Sequence, residues 1–95
     1  MRQQQHVHPG RILNRELKAR SLSANQLALA LRVPSGRITS LLGGKRSLTA
    51  DTALRLARYF GNSAQFWLNL QTRYDLATTE AQIGERIKSE VIQAT

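Results

Sequence analysis

SANQLALALRVPSGRITSLLGGKR, Ser23 to Arg46, holds two short apolar-periodic stretches separated and ended by punctuation. Ser23 with Gln26 three residues on reads as a capping box, the hydroxyl accepting from the Gln26 backbone while the glutamine side chain reaches back. The helix it opens, about 24–31, buries Leu27, Ala28 and Leu31. Pro34 disfavours helical geometry at Val33, so the chain breaks across Arg32-Val33-Pro34. A second helix begins at Pro34 or Ser35 and runs to about Leu42, with Ile38, Leu41 and Leu42 inward. Gly43 and Gly44 end it, because glycine accepts the left-handed conformation of a helix stop. Two short helices joined by a turn of about three residues form a helix-turn-helix, in which the small Ala28 permits a close crossing and Val33 and Ile38 plug the gap.

That packing turns Ser35, Gly36, Arg37, Thr39 and Ser40 outward. Short hydrogen-bonding side chains with one long cation suit insertion in the major groove, where small residues allow close approach and Ser, Thr and Arg bond base edges or phosphates. The helix N-terminus adds free backbone N–H groups for a phosphate. Lys45 and Arg46 follow the glycines, where the loop returns along the DNA backbone. The competing explanation is an ordinary αα corner with a solvated polar face.

Charge favours the first explanation. The 95 residues carry 14 Lys/Arg against 6 Asp/Glu, a net +8. Up to Tyr74 the balance is 12 cations to 2 anions, and from Asp75 onward 2 cations to 4 anions. A basic body with a mildly acidic tail points to a polyanionic partner for the body. The apolar fraction of 41% is that of a globular domain, and the length suits one domain with a single small core. With no cysteine, disulfides and Cys-based zinc sites are excluded. The longest apolar run, Leu27 to Leu31, is far too short to span a bilayer, and no secretory signal is seen; a cytoplasmic protein is expected.

The remaining punctuation predicts an all-α chain. Residues 1–7 read as a polar, frayed start. Pro9 and Gly10 open a helix of about 10–20 with Ile12, Leu13 and Leu17 on its apolar side. Thr49 caps a helix of about 50–60 whose inner face is Ala53, Leu54, Ala57 and Phe60 or Leu56; Asp51 in its first turn suits the helix dipole and Gly61 ends it. Ser63 caps a fifth helix, about 64–76, with Phe66 and Leu70 inside; Trp67, about 100° around from Phe66, either shares a broad buried face with it or lies, like Tyr74, near a dimer seam. Thr78 or Thr79 with Glu80 starts a further helical stretch within residues 77–95, where Ile83, Ile87 and Val91 form a narrow stripe that needs its own domain, a second chain or another partner to cover it.

Other chemistry finds little support. His6 and His8 lie in a polar start with no third metal ligand nearby, so no metal or other cofactor is expected. Gly43-Gly44-Lys45-Arg46 lacks the register of a phosphate-binding loop. No carboxylate pair or activated nucleophile is evident, so no enzyme is expected.

HPGRIL near the start, the S-x-N-Q-L-A-x-x-L-x-V-P run, and GKR-x-LTADTALRLARYFGNSAQFWLNLQTRYDL together resemble HigA-type antitoxins, also described as virulence-associated protein I, within the Cro/cI/XRE helix-turn-helix class. The resemblance covers about residues 8–76. It implies a five-helix, lambda-repressor-like domain with residues 77–95 as a C-terminal helical extension. It also implies a homodimer on a palindromic operator of double-stranded DNA, repressing its own operon, and a HigB-like mRNA-cleaving toxin as protein partner. Carried over residue by residue, the base-contacting positions fall on Ser35, Gly36, Arg37, Thr39 and Ser40. Relatives often have Asn at the position of Gly36, and often Gln as a phosphate clamp at the position of Ala24; that clamp role passes here to Asn25, Gln26 or a backbone N–H. Two alternatives stand beside the antitoxin: a stand-alone regulator without a toxin, and an interaction module whose basic face binds an acidic partner or RNA.

Overall fold

The computed structural model describes residues 7–94; residues 1–6, which hold His6 and nearly all of the expected frayed start, and Thr95 lie outside the described residues. Five α-helices and no strands form among the described residues: α1 Pro9–Ala19, α2 Ala24–Leu31, α3 Ser35–Leu42, α4 Ala50–Phe60 and α5 Ala64–Glu90. The expected sixth helix is the distal half of α5, which runs 27 residues without a break. Thr78 does not cap a new helix there. Its hydroxyl donates back to the Tyr74 and Asp75 carbonyls, which the helical ladder accommodates.

The core gathers one side of every helix: Leu13 and Leu17, Leu27, Ala28 and Leu31, Ile38 and Leu41, Ala53 and Leu56, and Trp67, with Leu48 from the α3–α4 loop. Each large member contributes about 1.5–3 kcal/mol by leaving water. The inner phase of two helices differs from that expected. In α4, Leu56 is buried while Leu54 is 64% exposed beside Tyr59 and Arg58. In α5, Trp67 is fully buried and Leu70 packs against the core, but Phe66, expected inside, is 44% exposed. The Trp67 indole packs against the Phe60 and Phe66 rings and donates its N–H to Asn62 Oδ1 at 2.9 Å. Trp67 is therefore core of its own chain, and it cannot lie on a dimer seam.

Four helix ends close with the same turn, in which an N–H reaches back five residues and the residue before it is left-handed. At Gly44 and Gly61 the residue is glycine. At Ser21 and Arg32 it is not: Leu22 N–H donates to Leu17 and Val33 N–H to Ala28, with Ser21 at φ 53° and Arg32 at φ 62°. The break before α3 thus comes from Arg32 as well as from Pro34.

The start of α1 sets the position of α3. His8 is the N-cap, its Nδ1 accepting from the Gly10 N–H at 2.9 Å, and Pro9 follows at N1. His8 is buried and lies edge-on to Tyr74 at 4.9 Å, so it belongs to the folded body and not to a free terminus. Gly10 then lies against the C-terminal end of α3: a Cβ there would overlap the Leu41 carbonyl oxygen and sit 3.1 Å from Leu42 Cα. Both neighbours are backbone and cannot swing aside. Gly10→Ala is expected to push α1 off α3 and cost about 1–3 kcal/mol. Gly36→Ala, with nothing within 4 Å of the added methyl, is expected to raise stability by about 0.5–1 kcal/mol. Denaturant melts of the two variants check both signs.

Candidate nucleic-acid interface

α3 is eight residues long and amphipathic, with Ile38 and Leu41 buried. At about 100° per residue, Ser35, Thr39, Gly36 and Ser40 share an arc of about 140° on the other side. Ser35, Gly36 and Thr39 are exposed and Ser40 is half-buried. The Thr39 hydroxyl donates to the Gly36 carbonyl at 3.3 Å, which leaves its oxygen free to accept. Gly36 carries no side chain on this face and has open space around it, so another backbone or a base can come close.

The N-terminus of α3 differs from those of the other helices. His8, Ser23, Thr49 and Ser63 each cap their helix with a side chain, whereas Pro34 before α3 makes no such bond. The Arg37 N–H donates to the Pro34 carbonyl at 3.0 Å, which leaves the Ser35 and Gly36 N–H groups without a side-chain cap at the positive end of the helix dipole, a setting that suits a phosphate oxygen.

The loop after α3 is held firmly at its far end. Leu48 is buried, and its N–H donates to Gln71 Oε1 of α5 at 2.7 Å; Gln71 in turn donates to Asp75. Removing the buried Gln71 acceptor would leave the Leu48 N–H unpaired, which typically costs about 1–3 kcal/mol. This anchor, with Gly44 left-handed at the near end, presents Lys45 and Arg46 to solvent next to the end of α3. At the start of α2 the capping box forms as expected, with Ser23 N–H to Gln26 Oε1 at 2.8 Å and Gln26 N–H to Ser23 Oγ at 3.0 Å. Gln26 thus spends its carbonyl oxygen on the cap, while its amide NH₂ still has hydrogens to donate to a phosphate.

Arg37 stands apart from the other expected contact residues. It sits about 60° beyond Ser40, on the flank of the outer arc, and its side chain is 28% exposed. Its Nη1 donates to Asp51 Oδ1 in the first turn of α4 at 2.8 Å. The same oxygen accepts from Arg55 Nε at 2.8 Å, and Arg55 Nη1 donates to the Leu31 carbonyl at the end of α2, also at 2.8 Å. Three helices meet in this chain of charge-assisted bonds. Arg55 first and Arg37 second hold the Asp51 carboxyl below the usual carboxylate range. A depressed carboxyl adds stability above the ordinary aspartate range and loses it as pH falls through the lowered value, so the cluster is intact at neutral pH. Sequence reading placed Asp51 only at a helix dipole; its spacing of four residues from Arg55 was the available signal of this tie.

The residues expected at a dimer seam divide. Trp67 is excluded by burial. Tyr74 is half-buried against His8 of its own chain. Ile83 is half-buried, Ile87 is 43% exposed, and Val91 is exposed just past the end of α5. Leu76, also exposed, joins Ile87 along a shallow groove that includes Gly84.

A helix-turn-helix family model matches residues 13–67. Virulence-associated protein I of Dichelobacter nodosus is 56% identical over 75 residues, 78% of this chain and 69% of that protein. Among solved structures, an addiction module antidote protein of the HigA family from Coxiella burnetii superposes with TM-score 0.92 at 48% identity, covering 96% of this chain and 100% of that one. The Pseudomonas aeruginosa antitoxin HigA, solved with the higBA promoter, gives TM-score 0.92 at 41% identity over 96% of this chain and 100% of its own. The sequence motifs, the five-helix fold and these likenesses agree: the chain belongs to the helix-turn-helix family, in its group of HigA-type antitoxins and virulence-associated protein I.

Proposed function

We propose that the protein is a DNA-binding antitoxin: a homodimer that represses its own operon from a palindromic operator in the cytoplasm and neutralises a HigB-like toxin. The observation that carries the DNA-binding reading is the outer side of α3, open along its length, uncapped at its N-terminus and followed by two exposed cations in an anchored loop. The relative solved with its promoter supports the same reading. Binding draws on two separable terms. The basic body supplies affinity by displacing counterions from phosphate, and the α3 side chains supply sequence preference.

The homodimer reading rests on α5. Its distal half has no fully buried residue, yet Leu76, Ile83 and Ile87 recur along it at spacings of seven and four. A second copy laid along this stripe removes the apolar area from water and places two α3 helices on one duplex. The toxin reading rests on the family.

Lys45→Ala is expected to weaken binding to operator and to random duplex by similar factors and to reduce the log–log salt slope by about 1, as read by anisotropy titrations at several salt concentrations. Ile87→Asp, at a position exposed in the single chain, is expected to keep the helical content of the fold, as read by circular dichroism, and to shift sedimentation from dimer towards monomer. The product of the neighbouring reading frame, mixed with this chain, is expected to co-elute with it and to lose mRNA cleavage; cleavage that persists in full would leave a stand-alone repressor.

A further inference from the structure

We infer that Asp51 is a positioning residue for sequence reading: its carboxylate grips one edge of the Arg37 guanidinium and so presents the opposite edge to a guanine in the major groove. This rests on the DNA-binding reading above and goes beyond it by assigning a specificity role outside the recognition helix.

Arginine has five N–H donors in one rigid plane. A charge-assisted contact, Nη1 to Asp51 Oδ1 at 2.8 Å, restrains that plane from one side. Among the described residues nothing else bonds the guanidinium, so the Nε and Nη2 hydrogens form a free two-donor edge. Two adjacent donors match the O6 and N7 acceptors of guanine, and no other base pair offers that pair of acceptors on one base. Asp51 is itself held. Arg55, one turn along α4, bonds the same carboxylate oxygen and ties it to the Leu31 carbonyl. The brace therefore runs from the end of α2 through α4 to the flank of α3.

Stability alone does not account for the arrangement. The Asp51 side chain is 58% exposed, and solvent-exposed ion pairs add little to folding free energy. They do fix direction. An unsupported arginine loses its rotamer freedom when it binds; one already held has lost it beforehand, and its contact with the correct base is tighter by that amount. The carboxylate also acts against indiscriminate binding, since its negative charge near the duplex opposes phosphate contacts that do not engage Arg37.

The test uses the full chain and four proteins: unmodified, Asp51→Ala, Arg37→Ala and the double variant. Affinities are measured for the duplex upstream of the protein's own gene and for a random-sequence duplex at one salt concentration, with base preference read by selection from a randomised pool. Asp51→Ala is expected to lower the operator-to-random ratio about tenfold, within the range of discrimination of one bidentate base contact. Binding to the random duplex is expected to hold steady or tighten, and preference is expected to be lost at a single guanine. In the Arg37→Ala background the same change is expected to move the ratio less than twofold. If Asp51→Ala melts too early to assay, Asp51→Asn, which keeps shape but not charge, is expected to lower the ratio in the same direction. An equal loss on both duplexes, or an equal drop in the ratio with and without Arg37, overturns the inference while leaving DNA binding in place. An unmodified protein with no duplex preference and no salt dependence overturns the DNA-binding reading, and this inference with it.

Discussion

A helix of eight residues has almost no stability of its own in water, since nucleation consumes most of what its few hydrogen bonds return. α3 therefore exists as a straight element only because its neighbours impose it. Ile38 and Leu41 anchor its inner side in the core. The backbone of Gly10 bears on its C-terminal end at Leu41, too close for any side chain between them. Asp51 holds Arg37 near its N-terminal end. With support on one side and at both ends, the side facing solvent needs no packing role of its own, which is why it can carry Ser35, Gly36 and Thr39 in place of apolar residues.

The division of labour between affinity and selectivity follows from the same layout. Long-range attraction to a polyanion needs only net charge, and the 12 cations up to Tyr74 supply it from several helices and loops. Reading a sequence needs fixed geometry, and fixed geometry is found where backbone is anchored: the Leu48–Gln71 bond behind the Lys45-Arg46 loop, the capping box that orients Gln26, and the brace on Arg37. Two of these anchors come from another element, Gln71 on α5 and Asp51 on α4, while the capping box is local to α2. The cost of the brace in free energy is small because its members stay wet; the cost of losing the buried Gln71 acceptor is larger because Leu48 has no water to turn to.

Much of the fold could be read from residues whose signals are local. Ser23 with Gln26, Pro34, Thr49, Gly61 and Ser63 each mark a helix boundary by what their own atoms can do, and those boundaries stand. Signals that depend on partners distant in sequence were not legible. His8 looked like part of a loose tail because the contact that buries it, with Tyr74, lies 66 positions along the chain, although its cap on Gly10 is local. Phe66 was misplaced because the inward side of α5 puts Gln71 one turn after Trp67; a polar residue inside hid that side, although Leu70 does pack against the core as expected. Ser21 and Arg32 close helices in a left-handed conformation that their side chains disfavour, so nothing in their identity announces it. The exposed positions of α3 were legible as a set, but the tie that distinguishes Arg37 from its neighbours lies on α4.

The length of α5 separates two kinds of surface. Twenty-seven residues at 1.5 Å each span about 40 Å, and the molecule is accordingly long, 51 Å by 27 Å by 22 Å. Its radius of gyration of 16.0 Å exceeds the roughly 12 Å of a compact chain this size. Four of the six acidic residues lie from Asp75 onward. Charges farther from a duplex than a screening length of about 8 Å exert little force on it, so acids placed along the projecting half weaken DNA binding far less than the same acids on the body would. In the dimer proposed above, that half instead sets the distance between two α3 helices. Half-sites on one side of a duplex recur about every 34 Å, and a rigid helix transmits a change at its far end as a displacement of the whole body. A substitution on the distal stripe should therefore act on operator spacing and on avidity, while base preference, fixed by contacts between α2, α3 and α4, stays as it was.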